Sequence, residues 1–183
     1  TINRQIKDIE RLVNEFSDFA RMPKPIFKKT DIKKIVLRTI DLHSLSNSKI
    51  NFNFACEKEK IIIFADEDQL NRMFINLIKN SIESIMNKSK KNGGFAHKID
   101  IEIKEKDNYI YCAIEDSGIG FSNSNLKKIV EPYFTTKVRG TGLGLAIVNK
   151  VVNDHDGKII FKPKQEGARV EIILPKNVSW NFN

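Results

Sequence analysis

Apolar residues recur along the first 22 positions in alternating steps of four and three: Ile2, Ile6, Ile9, Val13, Phe16 and Ala20. That alternation is the heptad pattern of helices packed along their length. Leu12 and Phe19 widen the stripe beyond a two-stranded seam, toward a bundle. Pro23 and Pro25 then end the helix, because proline lacks an amide hydrogen and clashes with the preceding turn. A helix with this much apolar surface calls for a partner helix, supplied by another copy or by a longer protein. Folding back onto the following domain is the alternative.

A basic stretch, Lys24 to Lys34, follows, and a second helix is expected from Thr30 or Asp31 to near Asn47. Two strand-like runs come next, Ile50–Ala55 and Lys60–Ala65. Asp66 with Gln69 three positions later makes a capping-box-like start for a long helix reaching about Asn87, before a polar loop, Lys88–Gly94. Ile99, Ile101 and Ile103 alternate with charges, and Tyr109–Ile114 is their hairpin partner across Asp107-Asn108. An irregular glycine-rich region spans Asp116–Gly144, a helix runs Leu145–Asp154, and strands Lys158–Lys162 and Arg169–Leu174 complete the pattern. Pro175 opens a tail containing Trp180, to which the sequence assigns no role. This order predicts an α+β two-layer sandwich, a mixed sheet with helices on one face, preceded by one long coiled-coil-like helix. It is not the alternation that builds a doubly wound parallel sheet.

The length of 183 residues and 21.0 kDa fits one domain plus a short extension. With 40% apolar and 30% charged residues, a core is possible and wholesale disorder is excluded. The net charge of +8 suits either an anionic partner or a lysine-rich solvated surface. Asn occupies 18 positions, so an argument from any one asparagine needs support elsewhere. Cys56 and Cys112 stand apart, without metal-ligand spacing, which argues against a zinc site or disulfide framework. No apolar run is long enough to span a bilayer. The helical pattern is already under way at Thr1, so the sequence reads as part of something longer.

Three stretches carry candidate chemistry. On the long helix, Asn76, Asn80 and Glu83 share one face, opposite Leu70, Phe74, Leu77, Ile78 and Ile85. A plain wet face would explain this, yet asparagine is a poor helix former, and neutral amide oxygens suit a hard cation that keeps its waters. Asp116-Ser117-Gly118-Ile119-Gly120 follows a strand; it is either an ordinary turn or a carboxylate placed to accept from an exocyclic amine. Gly140-Thr141-Gly142-Leu143-Gly144-Leu145 leads into a helix whose first amides form an anion site, with Lys137 and Arg139 just upstream. It is neither a Walker A loop nor a dinucleotide fingerprint.

Taken in order, these stretches resemble the ATP-binding domain of sensor histidine kinases, within the gyrase/Hsp90/kinase/MutL superfamily. Asn76–Glu83 matches the N box, Asp116–Gly120 the G1 box, Glu131–Lys137 the F box and Gly140–Leu145 the G2 box. The match covers roughly residues 30 to 175. Residues 15–25, Glu-Phe-Ser-Asp-Phe-Ala-Arg-Met-Pro-Lys-Pro, resemble the end of the second dimerisation helix in nitrogen-regulation kinases of the NtrB and NtrY type. The resemblance implies a Bergerat-type fold, with residues 1–25 as the second hairpin helix, 26–176 as the catalytic domain and 177–183 as a tail.

It also implies roles. Asn80 would ligate Mg²⁺, with Asn76 beside it, and Asp116 would bind the adenine amine of ATP while Gly118 and Gly120 let the backbone pass close to the base. Phe121–Arg139 would be the mobile lid, anchored by Phe134, with Lys137 reaching the terminal phosphates. Gly140, Gly142 and Gly144 would cradle the triphosphate, and Glu83 would make a water-mediated contact. Lys79, Tyr133, Thr135, Thr136, Thr141, Leu143 and Leu145 complete the nucleotide-binding set. One departure is Ala168, where many relatives carry a threonine near the adenine and a water or backbone contact would substitute.

Hydrolytic members of the superfamily place a glutamate one turn before the magnesium asparagine. Asn76 stands there, and an amide cannot serve as a general base, so hydrolysis is expected to be slow. The γ-phosphoryl group would go instead to a histidine followed by an acidic residue and a proline. His43, His97 and His155 do not fit, so the acceptor is expected upstream of Thr1; at His155 a cation would suit the end of its helix. The implied partners are a response-regulator receiver domain and a second copy through the hairpin helices, with no nucleic acid and no membrane insertion by this chain. A cytoplasmic placement follows, the parent being membrane-anchored if NtrY-like. A degenerate nucleotide-binding module without kinase activity is the alternative.

Overall fold

The computed structural model describes residues 2–91, 96–121, 126, 128–135 and 140–177. Helix α1 spans Ile2–Ala20, and the chain leaves it through Pro23 and Pro25. Ile6, Ile9, Val13 and Phe16 are each about half exposed, whereas Phe19 and Met22 pack against the core. Folding back therefore holds for the end of the helix, and the described part of its earlier stripe stays open to solvent.

Strand β1 (Lys28–Asp31) is an addition to the sequence reading, which ran from the basic stretch straight into a helix. Its Lys-Lys-Thr-Asp sequence carries no apolar alternation, and only Thr30 is buried. It forms because β3 (Ile62–Ala65) offers an edge, and the two pair antiparallel as a separate ribbon. Asp31 then caps α2 (Ile32–Ser46), accepting from the Lys33 amide at 3.2 Å. This helix buries Ile32, Ile35, Val36 and Ile40.

The main sheet contains β2 (Asn51–Cys56), β4 (Lys98–Lys106), β5 (Tyr109–Asp116), β6 (Lys158–Pro163) and β7 (Ala168–Pro175). Its order is β2-β4-β5-β7-β6; β2 and β4 run parallel and all other neighbours antiparallel, which makes the mixed sheet expected. Period-two alternation sends Ile99, Ile101, Ile103, Ile110, Cys112, Ile114, Val170, Ile172 and Leu174 into the core. The helices α2, α3 (Glu67–Lys91) and α4 (Gly144–Asp154) cover that face. On the other face charges pair along and across strands: Arg169 reaches Glu171 on its own strand at 2.8 Å and Glu115 on β5 at 3.3 Å, Lys162 reaches Glu171, and Lys164 reaches Glu115. No described helix is long and apolar enough to cross a membrane.

Three details correct the sequence reading. Helix α3 continues to Lys91, so Lys88 lies on it and not in a loop. Only half of the capping box forms: the Asp66 carboxylate takes the Gln69 amide at 3.0 Å, but the Gln69 side chain donates to the Pro23 carbonyl instead of turning back. His155 at the end of α4 is no cation. It is 1% exposed, and burial holds its pKa below the ordinary value despite the Val151 carbonyl and nearby carboxylates. Desolvating an imidazolium costs more than the helix end returns.

Candidate nucleotide-binding site

Helix α3 sorts its residues as the 3.6-residue period requires. Leu70, Phe74, Leu77, Ile78 and Ile85 are buried, while Asn76, Asn80 and Glu83 are half-buried along one face. The Asn76 side chain donates its Nδ2 hydrogen to the Arg72 carbonyl at 2.8 Å, which fixes the amide and leaves Oδ1 as its acceptor. That face looks at the start of α4. A Cβ on Gly144 would stand 3.1 Å from Asn76 Oδ1 and 3.6 Å from Asn80 Nδ2, so the first and last boxes meet here. Helix α4 begins after Leu143 without a side-chain cap, leaving its first amides available to an anion. Leu143 itself is fully buried, so only its backbone is placed to serve; Leu145 packs on the core, and Thr141 Oγ1 takes the Leu143 amide at 3.5 Å. Lys79 is exposed toward α2, where its charge and, more strongly, burial depress the pKa of His43.

At the other end, Asp116 closes β5 and is 7% exposed. Burial pushes its carboxyl up to about 6, against the opposing pull of the Gly118 amide and the Ser84 and Ser81 hydroxyls. The Gly118 amide donates to Oδ1 at 2.9 Å. Gly118 is tight for a reason the sequence did not reveal: its missing side chain admits α3 itself, and a Cβ would lie 2.2 Å from Ser84 Oγ. Beside it, Gly120 is pressed on the Gly167 carbonyl, and a Cβ on Gly167 would fall 1.7 Å from the Asp116 carbonyl oxygen.

Between these ends, Tyr133 has φ +68 and donates its amide to the Gly142 carbonyl at 3.2 Å. Gly142, at φ +71, has no room for a Cβ against the Tyr133 backbone, so the F and G2 boxes touch through main chain. Phe134 is half-buried, Thr135 is exposed, and Gly140 is half-buried. Thr136, Lys137 and Arg139 lie outside the described residues, as does much of the expected lid. A cleft lined by Phe19, Pro132, Asn149 and Asn153 lies along α4 beside the end of α1.

Residues 65–178 match the family described as histidine kinase-, DNA gyrase B-, and HSP90-like ATPase. The chain belongs to this family. Among curated relatives, a putative NtrY-like sensor histidine kinase of Rickettsia felis is 36% identical over 93% of this chain, but the match spans only 28% of that protein. The nucleotide-free catalytic domain of histidine kinase ThkA superposes with TM-score 0.74 and 27% identity, covering 84% of this chain and 99% of that one. ThkA in complex with the response regulator TrrA shares the fold, with TM-score 0.77 and 22% identity over 96% of this chain and 49% of that one.

Sequence reasoning missed Ser81, Ser84, Lys88 and Gly167. The two serines and Lys88 lie on α3 just beyond Asn80, and the Lys88 ammonium donates to the Ser117 carbonyl at 2.9 Å. Ala168 is paired with Asp116 in register and offers only a methyl group. The Ser81 and Ser84 hydroxyls on α3 help to lower the pKa of the Asp116 carboxyl that burial raises.

Proposed function

We propose that this chain is the ATP-binding catalytic part of a two-component sensor histidine kinase. It would pass the γ-phosphoryl group of ATP to a histidine on the dimerisation hairpin, for relay to a response-regulator aspartate. The observation that carries this reading is the approach of the Asn76–Asn80 face to the open N-terminus of α4, with a buried carboxylate at the far end of the same helix.

Asp116 would accept the adenine amine, and the α4 amides from Gly144 onward would hold phosphate oxygens. The residues fit Mg²⁺: Asn80 and Asn76 offer neutral oxygen-bearing amides beside the phosphate end. Among the described residues no cluster of three or more His, Cys, Asp or Glu stands as an all-protein cage. Asn80 would be the protein ligand. Mg²⁺ held there would offset the negative charge of the phosphates. Asn76 cannot take a proton from water, so the site favours transfer over hydrolysis. His155 is unsuited as the acceptor, because both ring nitrogens are engaged and the ring is buried. The exposed Ile6, Ile9 and Val13 on α1 support a second copy as partner through hairpin helices. A receiver domain would be the next acceptor, with the transfer on the cytoplasmic side.

Calorimetric binding of a non-hydrolysable ATP analogue, with and without Mg²⁺, tests the site. Asn80→Ala should remove the magnesium dependence and Asp116→Ala the adenine recognition. Mixing the chain with a hairpin bearing the acceptor histidine tests the kinase reading. Absence of phosphohistidine on that hairpin overturns it.

A further inference from the structure

Asn76, Asn80, Ser84 and Lys88 recur at every fourth position of α3, so they form one ridge from the phosphate end of the site to the base end. The last two hold the turn that follows β5. Ser84 Oγ accepts the Ile119 amide hydrogen at 3.0 Å, and the Lys88 ammonium donates to the Ser117 carbonyl at 2.9 Å. Lysine is seldom buried, yet this side chain is only 18% exposed, and the Glu166 carboxylate 3.8 Å from it is mostly in solvent. On the far side of the turn, the Ser117 hydroxyl donates to the Ala96 carbonyl at 2.6 Å and accepts the Lys98 amide hydrogen at 3.0 Å. The peptide joining Ser117 to Gly118 is a rigid plane with Lys88 at its carbonyl and Asp116 at its amide. The Gly118 N–H donates to Asp116 Oδ1 at 2.9 Å. A cation on the carbonyl polarises the plane and strengthens the bond that its amide donates.

We propose that Lys88 is a positioning residue for base recognition: through the Ser117–Gly118 peptide it fixes the Asp116 carboxylate to accept the exocyclic amine of a 6-aminopurine. This rests on the reading of Asp116 as the base contact. With Oδ1 tied to the Gly118 amide, the carboxylate cannot rotate without breaking that bond. The amide in turn cannot swing away while Lys88 holds the carbonyl of the same plane. A hydrogen bond donated to a carboxylate favours its ionised form, which accepts but cannot donate. Lys88 stands beyond Glu83, where the N box ends, so its role comes from the length of α3 and not from the boxes themselves.

The test is titration of Mg-bound, non-hydrolysable analogues of ATP and of purine riboside triphosphate, which lacks the 6-amine, between pH 5 and 8. Wild type, Lys88→Met, Lys88→Arg and Asp116→Asn are compared, with Lys88→Met also placed in the Asp116→Asn background. Lys88→Met should weaken the ATP analogue about five- to tenfold, the order of one charge-assisted hydrogen bond. The purine riboside nucleotide should be nearly unaffected, and Lys88→Arg should keep most of the affinity. Loss of ATP-analogue binding on acidification should begin at higher pH in Lys88→Met than in wild type. Lys88→Met should add nothing once Asp116 is Asn. Equal weakening of both nucleotides with an unmoved acid limb overturns the inference and leaves Lys88 as a fold-holding group. Should Lys88→Met loosen the turn, Lys88→Gln keeps a donor without the charge, and the same shift of the acid limb decides. A wild type that binds both nucleotides equally overturns Asp116 as the amine contact, and one that binds neither overturns the ATP reading itself; the inference falls with either. Discrimination by wild type that the Lys88 variants fully retain overturns the inference alone.

Discussion

His155 Nε2 accepts the backbone amide hydrogen of Asp66 at 3.1 Å, joining the end of α4 to the start of α3 across 89 positions of chain. The other ring nitrogen, Nδ1, carries the proton and donates to the Val151 carbonyl at 2.8 Å. Only the neutral ring can do both. Asp66 in turn takes the Ile26 amide at 2.7 Å, and the Phe27 ring lies 5.0 Å from the imidazole, so the joint also holds the strand that enters the domain.

The pH dependence of folding follows from that joint. The folded pKa of His155 is depressed, with burial outweighing the Val151 carbonyl and the charges of Asp66, Asp154 and Asp156. As pH falls below the ordinary value near 6.5, the unfolded chain takes up the proton and the folded chain does not, so stability drops. His155→Ala should cost about 2–4 kcal/mol at pH 7.5, through a cavity and an orphaned Asp66 amide, and should flatten this dependence. Urea unfolding at pH 5.5 and 7.5 measures both. An unchanged slope would count against the neutral ring.

Asp116 shows the opposite sign. Its folded carboxyl titrates at about 6, above its ordinary 3.8, so its contribution is complete below 3.8 and is lost as pH rises through about 6. Keeping this buried carboxylate ionised costs roughly 3 kcal/mol at higher pH. Asp116→Asn should therefore gain in melting temperature relative to wild type between pH 4.5 and 7.5, even as adenine recognition is lost. A pH-independent difference between the two proteins would contradict the assignment.

Gly167 has φ +82, and a methyl group there would strike the Asp116 carbonyl. Gly167→Ala should destabilise by about 2–4 kcal/mol and weaken nucleotide binding, because the strain is relieved only by moving Asp116. Chemical unfolding and calorimetry report the two effects. A stable variant with intact binding would show that β7 yields without disturbing the carboxylate.

The Phe16 and Tyr133 rings stack with centroids 6.3 Å apart, linking α1 to the F box. Both rings are about half exposed, which limits the pair to about 1 kcal/mol. A double-mutant cycle of Phe16→Ala and Tyr133→Ala should give a coupling no larger than that. A larger value would show that α1 and the F box are held by more than this contact.

What was legible in the sequence was whatever recurs along it. Alternating isoleucines gave β4 and β5, the four-three stripe gave α1, and the ordered glycines and asparagines gave the family and its boxes. Strand β1 was hidden because Lys28, Lys29 and Asp31 carry no apolar signal; its partner β3 supplies the reason for it. Ser81 and Ser84 read as ordinary helix-surface residues, since nothing local tells that Asp116 stands opposite. His155 misled for the same reason: its helix end is adjacent in sequence, while the amide and rings that enclose it come from residues far away. The lower half of the capping box failed because the Pro23 carbonyl competed for the Gln69 side chain.

Helix α3 has 25 residues and a length of roughly 37 Å. Asp66 and Gln69 at its start hold the incoming chain, Asn76 and Asn80 stand in its middle, and Ser84 grips the base-end turn about 12 Å beyond Asn76. One rigid rod thus sets the gap between the two ends of a bound nucleotide, like the marks on a ruler. That gap cannot stretch without breaking the rod's own backbone hydrogen bonds. The helix is the fixed jaw, and any widening of the site has to come from the α4 side.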